Sequence, residues 1–288
     1  MSRVAAPPIA RIEAVTTLVR DADGAAERFA ELGFPLEWTG GGGDDWQSAA
    51  ISMGNVDLEF MQPRGEDGTS FFHRALESRG EGLFMIAFRT KDIDAAVADL
   101  RERGVGITDP VFRQGMRQRF RFAFVPGRFT PGVQSFLAEY ESEERPTTEG
   151  GVGPLKVKKL DHVVIAVEDL EDALAKWETN VGLKPDASLD HPLGSGFKVS
   201  RLPIGESFLE LVQPVEEKGR FYEQVQERGE GLFSISIEVE DLEAAVSHLR
   251  SKGAMVSDPE PSIWPGAKVA RVNQGSAHGV SIQLIQRS

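Results

Sequence analysis

Between Leu160 and Val167 the chain reads LDHVVIAV, and its side chains divide by parity. Asp161, Val163, Ile165 and Val167 fall on one face of an extended strand, and His162, Val164 and Ala166 on the other, because successive side chains of a strand point to opposite sides. Asp169 is a predicted helix N-cap, its carboxylate placed to accept the unpaired N–H groups of the first turn. The helix is predicted to run to Val181 and to stop at Gly182. A short strand after Pro185 and two longer ones, Gly196–Leu202 and Phe208–Gln213, complete the unit, and Pro214 closes the last. The order β-α-β-β-β, without regular βαβα alternation, predicts an α+β fold.

This pattern recurs. RGEGLF occurs at Arg79–Phe84 and again at Arg228–Phe233, 149 residues later. The same offset carries Asp92–Val97 onto Asp241–Val246 and Asp109-Pro110 onto Asp258-Pro259. A shorter repeat lies inside each copy: VEDLE at Val167–Glu171 returns at Val239–Glu243, and Val19-Arg20-Asp21 relates in the same way to Thr90-Lys91-Asp92. The chain is thus read as four related units of roughly 70 residues, paired into two halves rather than strung into a solenoid. The charged, then Pro/Gly/Thr-rich stretch Glu141–Pro154 reads as the connection. The expected division is a first domain over 8–141, a linker over 142–156 and a second domain over 157–288.

Composition acts mainly by exclusion. The 288 residues are 40% hydrophobic and 27% charged, enough for packed cores. The net charge of −13 argues against nucleic acid and anionic membranes as partners, since both need a basic face. With no Cys, disulfides, thiolate metal sites and Cys nucleophiles are excluded. No apolar run is long enough to span a membrane, and MSRVAAPPIARIEAV has no signal-peptide core, so a cytoplasmic protein is expected.

LDHVVIAVEDLEDALAKW, Val181-Gly182-Leu183, FLELVQP (Phe208–Pro214), RGEGLFSISIEVEDLEAAV and GVSIQLIQ (Gly279–Gln286) together resemble the vicinal oxygen chelate superfamily, the glyoxalase/bleomycin-resistance/dioxygenase fold. The second half looks most like methylmalonyl-CoA epimerases. The resemblance implies tandem glyoxalase-like domains, with four βαβββ units paired into two cup-shaped mixed sheets. It also implies metal-ligand positions on the first and last strand of each unit. In the second half these are His162, Glu210, Ser234 and Gln283; in the first they are Ala14, Glu59, Met85 and Phe136. Alternation supports the placement: Leu209 and Leu211 share one face and Glu210 the other, and Val280, Ile282 and Leu284 oppose Ser281 and Gln283.

His162, Glu210 and Gln283 are therefore the candidate ligands of a divalent ion (Zn, Mn, Co, Ni or Fe), with Glu210 and His162 also the candidate catalytic pair. The alternative is a hydrogen-bonded polar pair in a metal-free cup. The first half cannot hold a metal on Glu59 alone. One match of three to a two-His-one-carboxylate triad disfavours dioxygenase chemistry. The expected function is a metal-dependent isomerase, epimerase or lyase passing a small oxo- or hydroxy-carbonyl compound through an enediolate. The rivals are a sequestering protein of the antibiotic-resistance type and a metal-free acid–base enzyme. The expected partner is a small molecule, and a homodimer is compatible with the tandem layout.

Further substrate-binding candidates are Ser234, Arg271, His191 and Glu59, together with Arg117, Arg119 and Arg121, which alternate with Gln118, Phe120 and Phe122 so that three guanidiniums would share one strand face. The alternative for those arginines is a solvated, ion-paired face. Gly40–Gly43 reads as a loop without the Lys-Ser/Thr ending of a phosphate loop. His73 and His248 are expected on helix surfaces, and His278 at a hairpin turn.

Overall fold

The computed structural model describes residues 9–65, 70–142, 153–189 and 196–288. The first half runs β1 (Arg11–Leu18), α1 (Ala22–Glu31), β2 (Leu36–Gly42), β3 (Trp46–Ser52), β4 (Asp57–Pro63), α2 (Phe71–Arg79), β5 (Gly82–Arg89), α3 (Ile93–Glu102), β6 (Val111–Gln114), β7 (Arg119–Val125) and β8 (Gln134–Tyr140). The second runs β9 (Val157–Ala166), α4 (Leu170–Lys176), β10 (Ala187–Leu189), β11 (Phe197–Ile204), β12 (Ser207–Pro214), α5 (Arg220–Arg228), β13 (Gly231–Val239), α6 (Leu242–Ser251), β14 (Glu260–Pro261), β15 (Ala267–Val272) and β16 (Ile282–Arg287). Each half makes one curled eight-stranded mixed sheet, ordered β2-β3-β4-β1-β5-β8-β7-β6 and β10-β11-β12-β9-β13-β16-β15-β14. Two βαβββ units therefore join through their first strands, β1 against β5 and β9 against β13. Helices α2 and α5, each leading into the second unit of its half, add to the predicted order.

The helices start as their sequences dictate. Asp21, Asp92, Asp169 and Asp241 each accept a backbone N–H of the first turn. Helix α4 is shorter than predicted, because its last turn, Trp177–Val181, widens to π geometry before Gly182 ends it in the left-handed region at φ 82°. That turn buries Trp177 completely, edge-on to Phe88 of the first half at 6.3 Å. One apolar core runs through both halves, joining Phe29, Phe60 and Phe88 to Trp177, Ile165 and Ile235. Among the described residues no helix is long and apolar enough to cross a membrane. Gly40–Gly42 belong to β2, and Gly41 and Gly42 pair with β3, so the expected loop is largely a hairpin.

The RGEGLF repeats serve this architecture. The Glu81 carboxylate accepts the Arg20 N–H at 2.8 Å, and the Glu230 carboxylate accepts the Glu168 N–H at 3.1 Å. Each glutamate thus ties down the turn after the first strand of its half. The repeats themselves meet the opposite half: Gly132 lies against the Glu230–Gly231 backbone and Gly279 against Glu81. Both glycines have positive φ, 63° and 74°, and a Cβ at either would collide with backbone. Gly132→Ala and Gly279→Ala are each expected to cost about 2–4 kcal/mol, since backbone cannot yield as a flexible side chain would. Denaturant unfolding checks this, and a midpoint unchanged from the natural protein would refute it.

Candidate active site in the second cup

Strand β9 supplies the first functional side chains through an irregularity. Its register with β13 jumps between the pairs His162–Ser236 and Leu160–Ile237, so Asp161 is bulged out of the ladder. Strict alternation would send Asp161 and His162 to opposite faces. The bulge instead brings them together, with Asp161 Oδ2 2.6 Å from His162 Nδ1. This corrects the face assigned to Asp161 above. Arg287 on β16 forms a two-pronged pair with the same carboxylate, at 2.7 and 2.8 Å. Burial pushes the Asp161 carboxyl up, but bonds from Arg287 and His162 outweigh it and hold the group below the usual carboxylate range. An ionised Asp161 accepts, so Nδ1 carries a proton and Nε2 is the ring nitrogen turned towards Glu210 and the cavity.

Glu210 lies on β12, the parallel neighbour of β9. Its Oε2 accepts from Arg201 Nε at 2.8 Å and from Trp264 Nε1 at 2.6 Å. Arg201 is directly opposite on β11, 5% exposed, with its guanidinium 3.6 Å from the centre of the Trp264 ring. Burial lowers the Arg201 pKa, with Glu210 and Asp161 opposing that effect. The other carboxylate oxygen, Oε1, stands 3.6 Å from His162 Nε2. Two basic atoms, each fixed from behind, thus sit side by side.

They open into a cavity of about 590 Å³ lined also by Ser234, Ser281, Gln283, Arg220 and Arg271. Phe197, Phe221, Phe233 and Trp264 form its apolar wall. The structure therefore brings together five of the residues singled out from sequence: His162, Glu210, Ser234, Gln283 and Arg271. His191 lies outside the described residues.

The donor chemistry decides whether a divalent ion belongs here. Among the described residues no three His, Asp or Glu side chains form a ligand group. Ser234 and Gln283 offer only neutral oxygens. Glu210 is balanced by Arg201 and Asp161 by Arg287, so these four groups already sum to zero. A divalent ion would leave two uncompensated positive charges in a buried site, whose cost exceeds what two good donors return. These residues do not fit a tightly held metal.

The first cup has lost this arrangement. Ala14, Met85 and Phe136 supply no donor, and the latter two join an apolar cluster with Phe84, Phe124 and Trp46. Glu59 faces Ala50, in the register where Glu210 faces Arg201. Burial, then repulsion from Asp57, pushes Glu59 up to about 7, against a bond from Thr16 at 3.4 Å. The folded protein thus holds a proton on Glu59 that the unfolded chain releases above the ordinary value of 4.5. Stability should fall as pH rises from there to about 7, by roughly 3 kcal/mol, and then level off. Glu59→Gln should remove that slope in unfolding measured between pH 5 and pH 8; an unaltered slope would assign it elsewhere.

The three arginines do not share a site. Arg117 pairs with Asp57 at 2.9 Å and with Glu37, and covers Trp38. Arg119 is exposed beside Glu141, and Arg121 holds Asp94 at 2.7 Å. Arg117 precedes β7, so strand parity does not govern it. Within the strand, Phe120 stacks on Tyr140 and Phe122 meets Phe136. Arg271, also read as a binder, is paired with Glu260 at the cavity rim. His73 bonds Ser70, His248 is half-buried beside Gly33, and His278 approaches Glu81 in a turn.

Sequence reasoning missed Asp161, Arg201, Trp264 and Arg287. The one signal was Arg201, which by alternation shares the strand face of Phe197 and Val199 in FKVSRLPI, since an unpaired buried cation is prohibitive.

Comparison with known proteins agrees with this fold. Residues 15–124 match the family described as Glyoxalase/Bleomycin resistance protein/Dioxygenase superfamily, and residues 160–270 match the Glyoxalase-like domain. An ethylmalonyl-CoA/methylmalonyl-CoA epimerase of Cereibacter sphaeroides is 31% identical over 133 residues, 45% of this chain and 98% of its own length. The mitochondrial methylmalonyl-CoA epimerase of Homo sapiens is 29% identical over 130 residues, 44% of this chain and 73% of its own. A triple mutant of 4-hydroxymandelate synthase from Streptomyces coelicolor superposes with a TM-score of 0.75 over 98% of this chain and 93% of its own, at 18% identity. It shares the tandem fold.

Proposed function

Because the chain belongs to the glyoxalase/bleomycin resistance protein/dioxygenase superfamily, we propose that its second cup is a metal-independent acid–base isomerase acting on a small oxo- or hydroxy-carbonyl compound. The observation that carries this reading is the 3.6 Å approach of His162 Nε2 and Glu210 Oε1, each the free end of a side chain whose other end is already bonded. His162 Nε2 takes the proton from the carbon beside the carbonyl. The C–H electron pair moves into a C–C double bond and the carbonyl pair onto oxygen, giving an enediolate. Ser234 and Gln283 line the cavity as neutral donors to that oxygen. Asp161 stabilises the imidazolium, which returns its proton to the neighbouring carbon directly or through Glu210, while the proton of the substrate hydroxyl passes to the former carbonyl oxygen.

Both basic atoms lie on one wall. That suits removal and return of a proton on the same face of the substrate, rather than epimerisation by two bases on opposite faces. The test is deuterium uptake from D₂O into small 2-oxo and 2-hydroxy acids and aldehydes, using chelator-treated protein. Exchange should persist in chelator and fall at least ~100-fold in His162→Ala and Glu210→Gln. Exchange that appears only after a divalent ion is restored would replace this reading with the chelate mechanism. The aromatic cavity wall favours one second reading, sequestration without chemistry. Tight binding with no exchange would select it.

A further inference from the structure

The arginines of the second cup are not equivalent. Arg201 is neutralised by Glu210, Arg271 by Glu260 and Arg287 by Asp161. Arg220, the first residue of α5, has no carboxylate within ion-pair distance among the described residues. Its guanidinium donates to Ser281 Oγ at 3.3 Å and lies 5.3 Å over the Phe233 ring. It borders the 590 Å³ cavity, and also a smaller cleft of about 170 Å³ between the halves. Beside it Phe221 and Phe233 stack at 4.2 Å, with Phe197 against Phe221 at 5.6 Å.

We infer that the second cup selects small organic carboxylates with an apolar body, the carboxylate held by Arg220 and Ser281 and the body laid along Phe197, Phe221 and Phe233. A chain of net charge −13 repels anions at long range, so an exposed cation without an ion-pair partner at the mouth of a cavity is a local reversal of field. A guanidinium offers a carboxylate two parallel N–H donors, and its position over Phe233 fixes their direction. The apolar wall supplies burial but no selectivity for charge. The carboxylate would sit at the rim and the reacting carbon deeper, towards His162 and Glu210. This names the substrate class of the proposed isomerase and rests on that reading for its chemistry, though not for binding.

Benzoate and its neutral amide, benzamide, separate the two contributions, with binding followed by ligand-observed NMR and calorimetry. The natural protein should bind benzoate at least tenfold more tightly than benzamide. Arg220→Met should weaken benzoate at least tenfold and leave benzamide unchanged, while far-ultraviolet dichroism confirms an intact fold. Phe221→Ala should weaken both. Equal affinity for the two probes in the natural protein, or benzoate binding untouched by Arg220→Met, would overturn the inference. Benzoate selectivity without deuterium exchange on any acid would leave the inference standing and refute the isomerase. Exchange on small acids without benzoate selectivity would do the reverse.

Discussion

Replacing Arg201 with alanine is expected to destabilise the protein by about 3–5 kcal/mol and to give the second cup an affinity for divalent ions that the natural chain lacks. The first effect follows from burial. Glu210 is 5% exposed, and loss of the guanidinium strands a carboxylate that keeps only the Trp264 N–H and a distant imidazole. The cation–π contact with Trp264 and the packing over Phe208 go with it. The second effect follows from the charge count. Without Arg201 the cluster carries one net negative charge, and His162 Nε2 and Glu210 Oε1 become two good donors facing an uncompensated hole. Thermal unfolding of the natural protein and of Arg201→Ala, each with and without Zn or Mn, reads both effects. The variant should melt lower and recover with metal, and the natural protein should not respond. A natural protein that gains equally from metal would show that Arg201 does not stand in for a bound cation.

The sequence made the fold legible because the fold repeats. Four copies of one strand–Asp–helix pattern declare themselves by spacing, and each Asp does as a cap what its chemistry predicts. Parity also placed Glu210, Ser281 and Gln283 on the cavity side, since regular strands leave no freedom once one face is apolar. What parity could not see was the break in parity. One bulged residue moves Asp161 beside His162, and the first half carries the same break at Glu13, between the pairs Ile12–Phe88 and Ala14–Ala87. There the bulged acid pairs with Arg89 and Arg11 rather than with a histidine. Arg201 and Trp264 were illegible for another reason. They come from β11 and the segment before β15, and only the curl of the sheet brings both onto one oxygen of Glu210. Arg117, Arg119 and Arg121 show the converse error, a periodic pattern whose members each found a separate acidic neighbour.

Asp161→Asn is the substitution that separates orientation from charge. Asp161 touches no substrate in the proposed reaction; it is a positioning residue acting through His162. An asparagine side chain at this site can turn its amide N–H towards Nδ1, which moves the ring proton to Nε2 and removes the base from the cavity. Deuterium exchange is expected to fall by ~10²–10⁴, with KM little changed, because the loss concerns proton transfer rather than binding. A purely structural role for Asp161 would not shift the tautomer, and ¹⁵N NMR of the His162 ring reads that directly: Nδ1–H in the natural protein, Nε2–H in the variant. Arg287→Gln supplies the contrast. It removes the two-pronged ion pair but keeps the 2.6 Å Asp161–His162 contact, so it should lose stability while retaining most of the exchange rate and the natural tautomer. If Arg287→Gln and Asp161→Asn lose rate to the same extent, the ion pair and not the histidine's proton sets activity, and the dyad reading falls.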